Sequence, residues 1–288
     1  MTTVAGDRQA APSAITSPPG HHATRSDQVI DIVLPAHNEG DGIETTLREF
    51  YEVVTLQGRI PIRFVVCEDG STDDTVEVLT DLADDIPLVL LSSPERKGYS
   101  RAVLDGFAAT TSDVVAFIDS DGQCDPADFA TLVRELGGAD MVIGYRNPRN
   151  DAAYRKLMSF GFKTLYRRLF PVRLKDPSCP YLVLRRGALQ AILRGSPGLL
   201  RQGFWWEFNA RAAAAGVATK ELPVRHRARL DGETKVYRPT RIPGIAYDHI
   251  RALFALRAEL RQLSGVSEPA PVLVPAVAAA AAPSVAAE

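Results

Sequence analysis

Two segments of the chain each place a pair of acids at the end of an apolar, β-branched run: Glu68-Asp69 after Ile62 to Cys67, and Asp119-Ser120-Asp121 after Val114 to Ile118. Carboxylates this close repel one another unless a cation or a proton lies between them. A hard divalent cation such as Mg2+ or Mn2+ prefers oxygen ligands, so Asp119 and Asp121 are candidate metal ligands, and Gln123 can add a carbonyl oxygen. A cation held by two or three protein groups keeps coordination positions for substrate phosphates. The structural alternative is that Asp119 caps the next turn and Asp121 forms an Asx turn with Gly122.

These loops need elements to hold them. Short apolar runs alternate with amphipathic stretches, the pattern of βα units and an α/β fold with a mostly parallel sheet flanked by helices. The expected strands are Val29 to Leu34, Ile62 to Cys67, Leu88 to Leu91, Val114 to Ile118 and Met141 to Ile143. Ile43, Leu47, Phe50 and Val54 share one helical face, as do Phe129, Leu132, Val133 and Leu136. Ser71 with Asp74 reads as a capping box, and Asp125-Pro126 as an N-cap followed by a first-turn proline. In a parallel sheet the post-strand segments all emerge at one edge, where ligands of open α/β sheets bind. That edge would gather Pro35-Ala36-His37-Asn38-Glu39, Glu68-Asp69-Gly70-Ser71, Glu95-Arg96-Lys97-Gly98 and Asp119 to Gln123. The chain lacks a Gly-x-x-x-x-Gly-Lys-Ser/Thr loop, and its first βα turn lacks Gly-x-Gly-x-x-Gly, so a P-loop enzyme and a standard dinucleotide oxidoreductase are excluded.

The net charge of -2 hides a division. Residues 1–145 hold 9 Lys/Arg against 25 Asp/Glu, whereas residues 146–262 hold 24 against 8. An acidic half suits a divalent cation and a basic half suits phosphates or anionic lipid; the alternative is two solvated faces that neutralise each other. Nucleic acid is not expected, because the acidic half would repel it. Cys67, Cys124 and Cys179 are too few and too scattered for a disulfide framework, and reduced thiols suit a cytoplasmic setting. Residues 1–27 read as a disordered leader, 28–263 as one catalytic domain with halves 28–145 and 146–263, and 264–288 as a flexible Pro/Ala tail. Pro269 to Ala287 is uncharged over a span's length, but its four prolines and weakly apolar alanines argue against a membrane helix.

Taken in order, Leu34-Pro35-Ala36-His37-Asn38-Glu39, Glu68-Asp69-Gly70-Ser71-Thr72-Asp73, Gly98 to Gly106, Asp119-Ser120-Asp121-Gly122-Gln123 and Arg229-x-x-Gly232-Glu233-Thr234-Lys235 resemble family-two glycosyltransferases of the A-type fold. Within them the dolichol/polyprenyl-phosphate mannose synthase group is most similar. The resemblance spans roughly Ile30 to Leu256 and implies a nucleotide-sugar donor carrying GDP or UDP, a Mg2+ or Mn2+ cofactor, and inversion at the anomeric carbon. It places Pro35, Ala36, His37, Glu39, Glu68, Asp69, Lys97, Asp119, Ser120 and Asp121 at the donor, with His37 where the family often has Tyr and Glu68 where it usually has Asp. It places Asp119, Asp121 and Gln123 at the metal, and Arg229 and Lys235 on the donor diphosphate and acceptor phosphate. Asp121, Asp176 and Glu207 fall on catalytic or acceptor-side acidic positions, where a helix cap or an ion pair to nearby arginines is the alternative for the last two. Asp-x-Asp-Gly after a strand also resembles the nucleophile loop of haloacid-dehalogenase-type phosphatases, but that loop follows the first strand of its fold and continues with Thr, where Gln123 stands.

The resemblance favours a polyprenyl phosphate acceptor and a chain working in the cytoplasm or peripherally at the cytoplasmic face of a membrane. Residues 146–201, with 13 Lys/Arg among Tyr154, Phe160, Phe162, Tyr166 and Phe170, and the segment Ile245 to Leu263 are candidate contacts with anionic lipid. Packing against the domain is the alternative for both. Two other functions stay open: transfer to a soluble hydroxyl acceptor, and a non-catalytic nucleotide-sugar binding protein that kept the fold.

Overall fold

Apolar runs long enough to be buried on both faces make the centre of the sheet. The strands Ile30–Ala36 (β1), Ile62–Asp69 (β2) and Val114–Phe117 (β4) are almost wholly buried, and Leu88–Ser93 (β3) is half-exposed at the edge. All four pair in parallel, with Ala36 opposite Glu68 and Glu68 opposite Ser92 in register. Met141–Arg146 (β5), Leu182–Arg185 (β6) and Thr219–Val224 (β7) complete one sheet in the order β3-β2-β1-β4-β6-β5-β7. β6 runs antiparallel to both β4 and β5, and β7 is parallel to β5. The computed structural model describes residues 28–147, 153–194, 203–228 and 242–264. The expected leader and, apart from Ser264, the expected tail lie outside them, as does the run from Pro269 to Ala287.

Strand periodicity splits the core into two layers. On one face Ile32 and Leu34 meet Gly40–Tyr51 (α1), Thr75–Leu82 (α2) and Phe129–Glu135 (α4) through Ile43, Leu47, Phe50, Leu79 and Phe129. On the other, Val33, Val65, Val115 and Phe117 meet Tyr99–Ala109 (α3), Arg186–Leu193 (α6) and Phe204–Ala214 (α7). Ala153–Leu169 (α5) and Ile242–Ser264 (α8) add a smaller apolar cluster in which Tyr166, Phe170, Leu253 and Leu256 are buried. Within the basic stretch, the Tyr166 hydroxyl donates to the Trp206 carbonyl at 2.7 Å, while Arg167 and Arg168 stay exposed. For Tyr166 and Phe170, packing is the outcome.

Two expectations need correction. Ser71 and Asp74 do not form a capping box: α2 starts at Thr75, and the Ser71 hydroxyl instead accepts the Asn38 N–H at 3.0 Å. β6 and β7 were not expected as strands. Asp125 does cap, accepting the Ala127 N–H at 3.0 Å at the head of a short 3-10 turn that leads into α4.

Gly106 lets α3 lie directly on β1 and β2: a Cβ there would sit 2.4 Å from Cys67 Sγ and 2.6 Å from a Val33 methyl. Gly106→Ala is expected to lower stability by about 1–3 kcal/mol, the usual effect of overpacking, read as a lower denaturant midpoint at unchanged slope. Burial pushes the Cys67 and Cys179 thiols up to about 12, so neither is a nucleophile at neutral pH.

Candidate active site

The four loops emerge from the carboxyl ends of β1 to β4 at one edge, as a parallel arrangement requires. Hydrogen bonds join them in sequence. Asn38, at a left-handed φ of 54°, accepts the Thr72 N–H on its side-chain oxygen at 2.9 Å, and the Glu39 N–H donates to the Thr75 hydroxyl at 3.0 Å. Buried Asp69 accepts the Lys97 and Gly98 N–H groups at 2.6 and 2.8 Å, which fixes the third loop against the second. Gly70, at φ 66°, is required between them, because a Cβ would fall 2.6 Å from the Arg96 backbone nitrogen. The Tyr99 hydroxyl then donates to Asp119 at 3.1 Å and accepts from Trp205 Nε1 at 3.0 Å, tying the third loop to the fourth and to α7.

Glu68, one methylene longer than the Asp expected from the resemblance, ties the second loop to β3. Its longer arm takes the Ser71 N–H on one oxygen and the Ser92 hydroxyl, at 2.8 Å, on the other. Burial alone would raise its pKa, but these bonds, with others from the Ser71 hydroxyl and the Ser93 backbone, prevail and hold the carboxyl below the ordinary glutamate value. A depressed carboxyl contributes stability above the unfolded value that disappears as pH falls through the folded one. Glu68→Gln is therefore expected to lose about 1–2 kcal/mol at pH 7, with the deficit shrinking as denaturation is repeated below the ordinary glutamate range. A deficit unchanged with pH would contradict this.

Asp119 and Asp121 stand half-buried at the end of β4, with Ser120 buried between them. The Gln123 N–H donates to Asp121 Oδ1 at 3.1 Å, so the Asx turn is present; such a turn uses one lone pair and is compatible with a ligand role. The Gln123 amide nitrogen donates to the Arg227 carbonyl at 3.2 Å, and Arg227 N–H returns to the Gln123 carbonyl at 3.0 Å. Among the described residues no group of three or more His, Cys, Asp or Glu side chains gathers closely enough to hold an ion. The donor set fits a hard cation all the same: two carboxylates and an amide on an open edge supply oxygens only, and leave the remaining shell to substrate. His37 Nδ1 is buried without a hydrogen-bond partner among the described residues, a polar atom at the rim that a ligand can satisfy.

Asp176 and Glu207, expected at catalytic or acceptor-side positions, both lie in ion pairs. Asp176 is 3% exposed, and Arg146 grips it through Nε at 2.7 Å and a terminal nitrogen at 3.0 Å, with the Ser178 hydroxyl at 2.9 Å. Glu207 is 2% exposed and accepts from Arg211 at 2.7 Å, and Arg211 reaches Glu259 on α8 at 2.9 and 3.1 Å. Lys97 pairs with Asp105 at 2.6 Å. Arg229 and Lys235, with Gly232 and Thr234, lie outside the described residues. Arg227, two residues before Arg229, bonds to Asp125 and Glu49 at 2.9 and 2.7 Å.

Sequence reasoning gave no individual role to Tyr99, Trp205, Ser92 or Asn38, the last of which it had placed in the first loop. Only Asn38, beside a strand end and of a type that tolerates left-handed backbone, carried a local signal; the others act across separations that no short pattern reports. The model of the family described as "Glycosyl transferase family 2" matches residues 31–193. The chain is 29% identical over 239 residues to an undecaprenyl-phosphate 4-deoxy-4-formamido-L-arabinose transferase of Pseudomonas fluorescens, covering 82% of this chain and 68% of the relative. It is 33% identical over 219 residues to an uncharacterized glycosyltransferase of Mycobacterium tuberculosis, covering 72% and 89%. The glucosyl-3-phosphoglycerate synthase of Mycobacterium tuberculosis, solved in complex with Mn2+ and uridine-diphosphate-glucose, shares the fold at TM-score 0.57 and 21% identity, covering 84% of this chain and 85% of its own. With this fold, this order of loops and a match over more than half its length, the chain belongs to glycosyl transferase family 2.

Proposed function

We propose that the chain moves a sugar from a nucleoside-diphosphate donor to a polyprenyl phosphate, with inversion and with the help of Mg2+ or Mn2+. The observation that carries this reading is the Asp119-Ser120-Asp121 segment at the end of β4, held by Tyr99 on the same rim as the first three loops. The relative from Pseudomonas fluorescens is named for an undecaprenyl-phosphate acceptor, and the neighbour from Mycobacterium tuberculosis was crystallised with Mn2+ and a UDP-sugar, which supports each half of the proposal.

In this reading Pro35, Ala36, His37, Glu39 and Asp69 line the nucleotide, GDP or UDP, and Glu68 and Lys97 shape that pocket from within the loops. Asp119, Asp121 and Gln123 would hold the cation, which when bound neutralises charge gathering on the leaving diphosphate. Arg229 and Lys235 supply fixed positive charge to the donor diphosphate and the acceptor phosphate. An acceptor phosphate oxygen attacks the anomeric carbon as the bond from that carbon to the diphosphate oxygen breaks, and the nucleoside diphosphate departs with the electron pair. An ionised phosphate needs no general base, whereas a hydroxyl acceptor does. The arginine partners of Asp176 and Glu207 accordingly suit these acids to holding the acceptor side in shape. Among the described residues no helix is long and apolar enough to cross a membrane, and the proposed site of work is the cytoplasmic face, reached peripherally.

The test is acceptor choice. With Mn2+ and a labelled donor, label is expected in an organic-extractable product when a short-chain polyprenyl phosphate is supplied and not with the matching polyprenol. Equal transfer to the free alcohol, or label passing only to soluble hydroxyl compounds, overturns the lipid-phosphate acceptor.

A further inference from the structure

The outward face of α8 combines features that the catalytic reading leaves unused. The helix is fixed from beneath: Leu253 and Leu256 are buried against Tyr166, Phe170 and Ala210, and Glu259 takes the Arg211 ion pair. The Arg257 guanidinium donates to the Arg168 and Leu169 carbonyls at 3.0 and 2.6 Å, closing the end of α5. Above this seat, Ile250 and Phe254 stand one turn apart, 39% and 53% exposed, with Ala258 exposed a turn further on. Exposed Arg251 and Arg261 flank that ridge on α8, and Arg168 flanks it from α5. An open groove of about 450 Å3 runs between the two helices, lined by Arg168, Leu169, Phe254, Arg257, Ala258 and Arg261. Asp248, near the start of the helix, is the one exposed acid on the described part of α8; Glu259 is turned to Arg211.

We propose that this face docks on the surface of an anionic lipid bilayer, with Phe254 and Ile250 entering the headgroup boundary and Arg168, Arg251 and Arg261 meeting lipid phosphates. The choice of occupant follows from charge and size. A narrow apolar ridge with guanidiniums on both sides matches the anionic, shallowly apolar boundary of a bilayer. A stable protein interface buries about 800 Å2 on each partner around an apolar centre, whereas two exposed apolar side chains ringed by arginines repel a second copy of the same face. The inference rests on the lipid-acceptor reading in that such an acceptor lies in a bilayer and brings the enzyme there.

The test is flotation of the full chain with vesicles of phosphatidylcholine alone or with phosphatidylglycerol, at low and high salt. Binding is expected with phosphatidylglycerol at low salt, and little with phosphatidylcholine or at high salt. Two surface variants, Ile250→Ser with Phe254→Ser, and Arg251→Gln with Arg261→Gln, are expected to keep the wild-type circular dichroism and turnover on a short-chain soluble acceptor. The arginine pair is expected to lower the partition coefficient about twentyfold to thirtyfold, at roughly fivefold per arginine. No flotation of the wild type with phosphatidylglycerol at low salt overturns the proposal, as does variant flotation equal to wild type. Concentration-dependent dimerisation abolished by the Ile250/Phe254 variant also overturns it, in favour of a second copy. Flotation without transfer to any polyprenyl phosphate sinks the acceptor reading and leaves the docking face standing; transfer without flotation does the reverse.

Discussion

Asp121→Asn is expected to lower kcat/KM by about two to three orders of magnitude, the scale of losing one preorganised stabiliser of developing charge. The amide is nearly isosteric and can keep the Asx turn by accepting the Gln123 N–H on its oxygen, so folding should survive. What it loses is the negative charge that would share the cation with Asp119. The diagnostic sign is the metal titration: the variant should need much more Mn2+ to reach its own, lower maximum. Unchanged metal dependence would move the cation away from this loop.

Arg211→Met should have the largest effect on stability. The guanidinium is buried between Glu207, 2% exposed, and Glu259 on α8. Removing it leaves a carboxylate in the interior with its main cation gone, which costs about 3–5 kcal/mol. For a chain of this size each kcal/mol corresponds to roughly 2–4 °C in Tm. Combining Arg211→Met with Glu207→Gln removes the stranded charge and should restore part of the loss. A double variant as unstable as the single one would show that packing, rather than charge, is what Arg211 contributes.

The first five strands were legible because each carries a dense apolar run, mostly β-branched except in β3, and the parallel pairing of the first four followed from the helices between them. Strands β6 and β7 were not. β6 is only four residues, Leu182–Arg185, and passes directly into α6, so periodicity has no room to show. β7 carries Lys220, Glu221 and Pro223 and lies at the edge of the sheet, where a proline is tolerated but weakens the strand signal. The site shows the same limit. Asp69, Asp119 and Asp121 announced themselves as acids at strand ends, yet the partners of the first two come from afar: the Lys97 and Gly98 N–H groups hold Asp69, and Tyr99 holds Asp119. For Asp176 and Glu207 the sequence offered acidity and nearby arginines: Arg211 stands one helical turn from Glu207, whereas only the fold brings Arg146 to Asp176.

The proposed function stands or falls on this rim turning over a nucleotide sugar. Its most direct test supplies purified chain with Mn2+, a panel of GDP- and UDP-sugars and a short-chain polyprenyl phosphate, and reads released nucleoside diphosphate. The expected result is release from one donor class that requires both the metal and the lipid phosphate and that collapses in Asp121→Asn. Binding of the nucleotides without release from any donor would contradict the claim and leave a binding protein built on a glycosyltransferase fold.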